Sequence, residues 1–473
     1  MTDLVLREVV VDGRPVDVRA SGGAIVAVDR RLPARPGDDE IDGRRCALVP
    51  GLHDHHIHLL ALAAADRSPF AGPPAVHDAD GLAALLRRAD ASLGDGEWLR
   101  AIGYHESVAG PLDRRRLDAL VADRPVRVQH RSGAAWVLNS RGLAAVGIDA
   151  SATDTAELDG IEREADGTPT GVLFGLDRWL RDRLPPSPPP DLAAVGRRLA
   201  ACGVTGVTDA TPVAAPADLA PIAAAADTGG LPQRVTVTGG PELADATMPA
   251  PLVRGPVKLV VADHALPSLD DLVRGMRAAH AAGRAVAVHC VTRAALALAL
   301  AAWDEAGARP GDRVEHGSVV PPDLRAIVAF RGLAVVTQPG FVHERGDRYL
   351  LEVDAHDLAH LYPCRSLIEA GIPVGGGTDA PFGHPDPWRH IAAAIVRHTA
   401  GGRPLGVREA VSPERALALF LTTPDAPGGV PRRIAVGAPA DLCLLDAPLS
   451  HVLEDPGSHH VAATVIAGHV VGG

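Results

Sequence analysis

The sequence predicts an α/β protein: a parallel (β/α)8 TIM-like barrel, a composite small β-sandwich made from both termini, and an inserted α/β segment over the barrel mouth. Three observations lead there. Short alternating strands occupy both ends of the chain, eight apolar runs alternate with alanine-rich helical stretches between them, and one long segment interrupts that alternation.

At the ends, LVLREVVVDG, RPVDVRA and AIVAVD run through the first fifty residues, with Asp12-Gly13 and Gly22-Gly23 as hairpin signals. The last fifty behave likewise, with ADLCLLD from Ala440 and VAATVIAGHVVG from Val461, which turns near Gly468. Neither set can bury a face alone, so residues 1–49 and 426–473 are expected to pair into one sandwich. The barrel is assigned to residues 50–65 and 200–425. Its runs are CALVP before Gly51, VTGVTDA from Val204, RVTVTG from Arg234, VKLVVAD from Val257, AVAVHCV from Ala285, RVEHGSV from Arg313, LAVVTQP from Leu333 and IPVGGGTDAP from Ile372. Helix starts lie between them: Ser268 to Asp271 forms a capping-box pattern, and Ser412-Pro413-Glu414 places proline at the first helical position. Residues 66–199 are too many for a βα loop, and they carry a strand, PVRVQHR from Pro125. Their proline cluster, PPSPPP from Pro185, reads as a stiff linker.

Composition bounds the function. With 473 residues, 47% hydrophobic and 22% charged, the chain can bury a large core, and its formal charge of −12 argues against nucleic acid or anionic membrane as a partner. A small molecule is the expected partner, and homo-oligomerisation stays open. No leader peptide and no membrane-length apolar run is read, so a cytoplasmic location is expected. Five cysteines, Cys46, Cys202, Cys290, Cys364 and Cys443, lie far apart and fit neither a disulfide framework nor a thiolate zinc site. Only one of the 46 basic residues is a lysine, Lys258. Where charge alone matters arginine serves, so this lysine is expected to do something a guanidinium cannot.

In a barrel of this kind chemistry collects at the C-terminal strand ends. His56 and His58 follow the first run, Lys258 lies in the fourth, His289 ends the fifth, His316 ends the sixth and Asp379 ends the eighth. Alternate residues of an extended backbone point the same way, so His56 and His58 can converge on one ion. His53 and His55 have the opposite parity and are expected to pack or to support, while Asp54 shares the parity of His56 and is expected to orient an imidazole. Imidazoles with a carboxylate suit zinc and its neighbours. Singly, each residue also fits a duller role: a core histidine, an Asx turn at Asp379, a snorkelling lysine. Six such coincidences at strand ends favour the joint reading.

PGLHDHHIHL, VKLVV, AVHC, VEHGS and GGTDAP, in that order, resemble the metal-dependent amidohydrolase superfamily. WVLNSRGL at Trp136, DGTPTGVL at Asp166, GVTGVTDA at Gly203 and VGAPADLCLLD at Val436 extend the likeness to its YtcJ-like, amidohydrolase-3 branch, over nearly the whole chain. The resemblance implies a barrel beside a composite sandwich, and binding of one or two divalent metals, zinc above all, by His56, His58, His289, His316 and Asp379. It also implies that carbon dioxide carboxylates Lys258 to a carbamate that bridges two metals, a reaction that needs a neutral amine and so excludes arginine. The reaction implied is hydrolysis of a non-peptide carbon–nitrogen bond in a small amide-like substrate. A metal lowers the pKa of bound water from 15.7 to about 7, and Asp379 acts as general base and then acid. Tyr104, His105 with Glu106, His130, Arg131, Gln338 and Trp388 are candidate substrate contacts. The branch is expected to carry a histidine shortly before WVLNS, where this chain has Ala134 and Ala135, so His130 or Arg131 is a candidate substitute. A lactonase, a cyclic-imide hydrolase, a deaminase and a non-catalytic scaffold of the same fold remain alternatives.

Overall fold

Type I′ hairpins shape the ends of the chain, because their twist matches that of the strands they join. Asp12-Gly13, Gly22-Gly23 and Ala467-Gly468 each place two consecutive residues at positive φ. The first two turns fold Leu4–Val11, Arg14–Ser21 and Ala24–Asp29 into an antiparallel meander, and Asp39–Asp42 adds to Leu4–Val11 in parallel. The third joins Val461–Ile466 to His469–Gly472, in a sheet continued by Leu442–Leu445 and Leu48–Pro50. Leu6, Val9, Val18 and Ile25 from one sheet share a buried core with Leu48, Leu442, Leu444 and Val465 from the other. Each sheet thus covers the apolar face that its partner exposes.

In this computed structural model, residues 3–148, 159–186, 190–213, 215–243, 245–263 and 265–472 are described. The proline cluster from Pro185 lies partly outside them. The chain divides into two compact units, residues 1–61 with 191–473, and residues 62–190. The smaller unit holds a five-stranded sheet, in the order Ile161–Arg163, Pro169–Phe174, Ala135–Leu138, Val126–His130 and Leu99–Tyr104. Leu99, Ala101, Val126 and Val128 alternate inward from two of these strands onto Leu82, Leu86 and Leu117 of its helices.

The larger unit carries two parallel arcs. In the first, β1 (Leu52–Ile57) pairs with β2 (Val204–Asp209), β2 with β3 (Arg234–Val237), and β3 with the short Val253–Arg254. In the second, β4 (Val257–Val260), β5 (Val286–Cys290), β6 (Arg313–His316), β7 (Ala334–Thr337) and β8 (Val374–Gly376) follow in sequence order. The described strands form no single closed sheet. Backbone bonds nevertheless join the arcs at both seams: Lys258 N donates to Gly239 O at 2.8 Å, Asp379 N to His56 O at 2.7 Å, and His58 N to Ala380 O at 2.9 Å. Helices between the strands start where the sequence indicates, with Ser268 and Ser412 hydroxyls accepting the N–H of Asp271 and Arg415.

One run is placed differently from its expectation. CALVP contributes Leu48–Pro50 to the terminal sheet, not to the parallel arcs, and β1 is the histidine segment itself. Buried imidazoles are tolerated in a strand because each finds a hydrogen-bond partner on another element, and an apolar-pattern reading passes over such a strand.

Asp312, buried just before β6, holds this framework together. Its carboxylate accepts from Val286 N at 2.9 Å, Arg309 N at 3.0 Å and Trp303 Nε1 at 3.0 Å, and meets His280 Nε2 at 3.0 Å. Asp312→Ala leaves several buried donors unpaired, and unfolding is expected to become easier by about 3 kcal/mol. Chemical denaturation followed by far-UV circular dichroism checks this, with Asp312→Asn losing less.

Candidate metal centre

Two glycines end β8 and a third, Gly377, follows it where β1 comes too close for a side chain. A Cβ on Gly377 would sit 2.6 Å from His56 Cβ and 2.9 Å from His56 N. That proximity lets Asp54 reach across: its carboxylate accepts from Thr378 N at 3.0 Å, from the Thr378 hydroxyl, and from His56 N at 3.1 Å. Among the described residues the Asp54 carboxylate hydrogen-bonds no imidazole, contrary to the expectation, but ties the backbones of β1 and the segment after β8. Burial lifts its carboxyl to about 7, although the Thr378 and His56 donors oppose the rise.

Six residues converge beside this seam. His56 and His58 ring centroids lie 5.4 Å apart, those of His56 and His316 4.7 Å, and those of His289 and His316 4.4 Å. Asp379 Oδ1 lies 3.2 Å from His58 Nε2 and 3.6 Å from His56 Nε2, and its Oδ2 is 3.9 Å from His316 Nδ1. Lys258 is buried in β4 and acts electrostatically on both His56 and His289. Among the described residues, Lys258 Nζ and His56 Nε2 are buried without a hydrogen-bond partner. His316 and Asp379 adopt positive φ, 68° and 55°, conformations that cost energy in non-glycine residues and concentrate at functional sites.

Each ring is aimed by what holds its other nitrogen. His58 Nδ1 meets the Thr211 hydroxyl at 3.0 Å, and His316 Nδ1 meets Gln338 Oε1 at 2.9 Å. His56 Nδ1 bonds Glu315, whose second oxygen accepts from Arg313 Nε at 2.6 Å. Sequence reading missed Glu315. The signal was present, since RVEH puts an arginine and a glutamate two apart in a strand meant to be buried, where charges must pair. His53 and His55, with ring nitrogens on Thr208 and Thr422 hydroxyls at 2.9 and 2.8 Å, support β1 as expected.

Electrostatics sort the protonation states. Burial drives Lys258 below the usual lysine range, against the pull of Glu315 and Asp379, which favours its neutral amine. Burial and the nearby Lys258 push His289 down to about 3, leaving a neutral imidazole. Burial opposes ionisation of Asp379, but the His58 hydrogen bond with His56 and His316 outweighs it and holds the carboxyl far below its ordinary value. A neutral imidazole at His289, an ionised carboxylate at Asp379 and an amine shifted toward its neutral form at Lys258 are donor states that suit a divalent cation.

The other candidate contacts are spread out. Gln338 is fully buried and serves His316, while Trp388, also fully buried, donates its indole N–H to Cys202 O at 3.0 Å. Neither has surface left to line a pocket. Tyr104, His105, His130 and Arg131 belong to the smaller unit. Tyr104 is a core residue with its hydroxyl on Gly110 O. Arg131 is half-buried, with its backbone N–H on Tyr104 O. His105 and His130 turn their Nε2 atoms toward Glu106, at 3.7 and 3.2 Å. Their Nδ1 atoms accept the backbone N–H of Ser107 and Ser132, which leaves the proton on Nε2. That tautomer donates to the carboxylate and opposes a metal there.

The Amidohydrolase family profile (Amidohydro_3) matches residues 39–472. The N-substituted formamide deformylase of Arthrobacter pascens is 26% identical, with 91% of this chain and 89% of that protein covered. YtcJ of Bacillus subtilis (strain 168) is also 26% identical, covering 92% and 91%. Among solved structures, an uncharacterized metal-dependent hydrolase from Pyrococcus horikoshii OT3 superposes with a TM-score of 0.72 at 19% identity, over 99% of this chain and 100% of the other. That likeness shows a shared fold. The chain belongs to the amidohydrolase family, in the branch that contains YtcJ.

Proposed function

We propose that this amidohydrolase cleaves a non-peptide carbon–nitrogen bond of a small amide at a divalent metal centre, zinc by its donor set, held by His56, His58, His289, His316, Asp379 and Lys258. The observation that carries the reading is the buried convergence of these groups with two ring or amine nitrogens, His56 Nε2 and Lys258 Nζ, left without partners among the described residues. Unpaired buried polar atoms are costly, and a cation that collects them offsets the cost. The two parallel arcs are read as a (β/α)8 barrel, and the terminal sheets as a composite sandwich of residues 1–49 and 426–473. The amide class is supported by the Arthrobacter relative, named for deformylating N-substituted formamides.

A bound divalent ion supplies an acidified water and polarises the acyl oxygen. The protein supplies the rest. Asp379, kept ionised beside His58, accepts a proton as water adds to the acyl carbon. The carbon–nitrogen bond then breaks, and the amine leaves with the proton that Asp379 held. Neutral Lys258 can add to carbon dioxide, forming a nitrogen–carbon bond and releasing a proton, and the carbamate so formed offers two oxygens where the amine offered one nitrogen. Glu315 fixes the His56 ring so that Nε2 faces the other ligands.

Elemental analysis of protein purified without chelator should find close to two metal equivalents, falling to one or fewer in Lys258→Ala. No retained metal in the wild type would overturn the proposal. Asp379→Asn is expected to lower amide turnover by about 10² to 10⁴-fold, as loss of a proton-transfer group does. Glu315→Gln should weaken metal affinity by about 10 to 100-fold in chelator competition while the fold, read by circular dichroism, is kept.

A further inference from the structure

Arg345 is the residue beside this centre that the mechanism does not use. It lies in the helix Gly340–Glu352, which begins just after Gln338, the support of His316. Its guanidinium stacks on the Phe341 ring at 3.8 Å, and Nη2 donates to Phe382 O at 2.6 Å. Phe382 links it to the metal-binding groups: its N–H bonds Asp379 O at 2.8 Å, and its ring meets the His58 ring edge-on at 5.5 Å. The side chain is half-buried; Tyr349 and Tyr362, and after them Asp379 and Glu344, act on it electrostatically, and it forms an ion pair with neither carboxylate. Among the described residues its other N–H groups have no hydrogen-bond partner and no carboxylate lies within ion-pair distance. The neighbouring acids are engaged elsewhere, Glu344 with His384 N and Asp347 with Arg403, Thr399 and Gly401.

A guanidinium that is always charged, oriented by a ring and a carbonyl, yet keeping donors unspent, is prepared for a planar oxyanion. We propose that Arg345 binds a carboxylate on the substrate, so that the amides hydrolysed are carboxylated ones such as N-acyl amino acids or dicarboxylic monoamides. A carboxylate matches the flat guanidinium fork, because the donors left beside the Phe382 carbonyl can pair with its two coplanar oxygens. The inference rests on the amide-hydrolase reading and names the substrate class of that site.

The test compares acid and neutral pairs on metal-loaded enzyme: N-formylglycine with N-methylformamide, N-acetylalanine with N-ethylacetamide, N-benzoylglycine with N-methylbenzamide, and N-methylsuccinamic acid with N-methylpropanamide. For at least one pair, kcat/KM of the acid should exceed that of its neutral counterpart by about 100-fold, the discrimination expected of a desolvated charge pair. The ratio should collapse toward one in Arg345→Met and recover in part in Arg345→Lys, chiefly through KM. A residue that only packs on Phe341 would alter both members of a pair alike and leave the ratio standing, which overturns the proposal. So does a wild type that turns over the neutral amides as well as the acids. Turnover of no member of any pair overturns the amide reading, and the carboxylate inference with it.

Discussion

The site depends on how closely the segment after β8 can approach β1. With glycine at position 377, the backbone of Asp379 bonds to that of His56, and two strands far apart in sequence present their polar ends to one point. Asp54 adds a buried carboxylate that binds both backbones at once. A larger residue at position 377 would force these strands apart and separate Asp379 from His56 and His58 before any side chain at the centre had changed. Precision here comes from backbone packing, and the imidazoles inherit it.

A second constraint is charge. The interior around His56 contains Arg313, Glu315, Lys258 and Asp379, all buried. Burial opposes ionisation of Glu315, but Arg313, His56 and Lys258 outweigh it and hold the carboxyl well below its ordinary range. Burial depresses Lys258 and His289 instead. The arginine–glutamate pair thus places a fixed negative oxygen behind His56, while burial shifts Lys258 and His289 toward their neutral, electron-pair-donating forms. Removing one partner would leave the other buried and uncompensated, so this pair behaves as a unit.

Much of this was legible in the chain. Strand positions followed from apolar runs, hairpin turns from glycine pairs, and helix starts from Ser268 and Ser412, because these signals are local. Strand-end logic also picked out the six residues that the structure brings together. What escaped were matters of partnership. That β1 is the HDHHI segment was hidden because its polar residues find their acceptors and donors on β2, on Thr378 and on Thr422, 155 and more residues away. Gln338 and Trp388 looked free to line a pocket, and only their three-dimensional neighbours, His316 and Cys202, show where the Gln338 Oε1 and the Trp388 indole N–H are engaged.

The terminal sheets also impose an order of events on the making of the protein. Leu6, Val18 and Ile25 are made long before the residues that cover them, Leu442, Leu444 and Val465. An apolar sheet face therefore waits through the translation of both parallel arcs before its cover exists. At the same time β1, which follows directly in sequence, must wait for the segment after β8. Early strands with unpaired edges and late partners are the situation in which nascent chains associate wrongly, and the strand at one edge of this sheet carries Asp39, Glu40 and Asp42, charges of the kind that oppose edge-to-edge pairing.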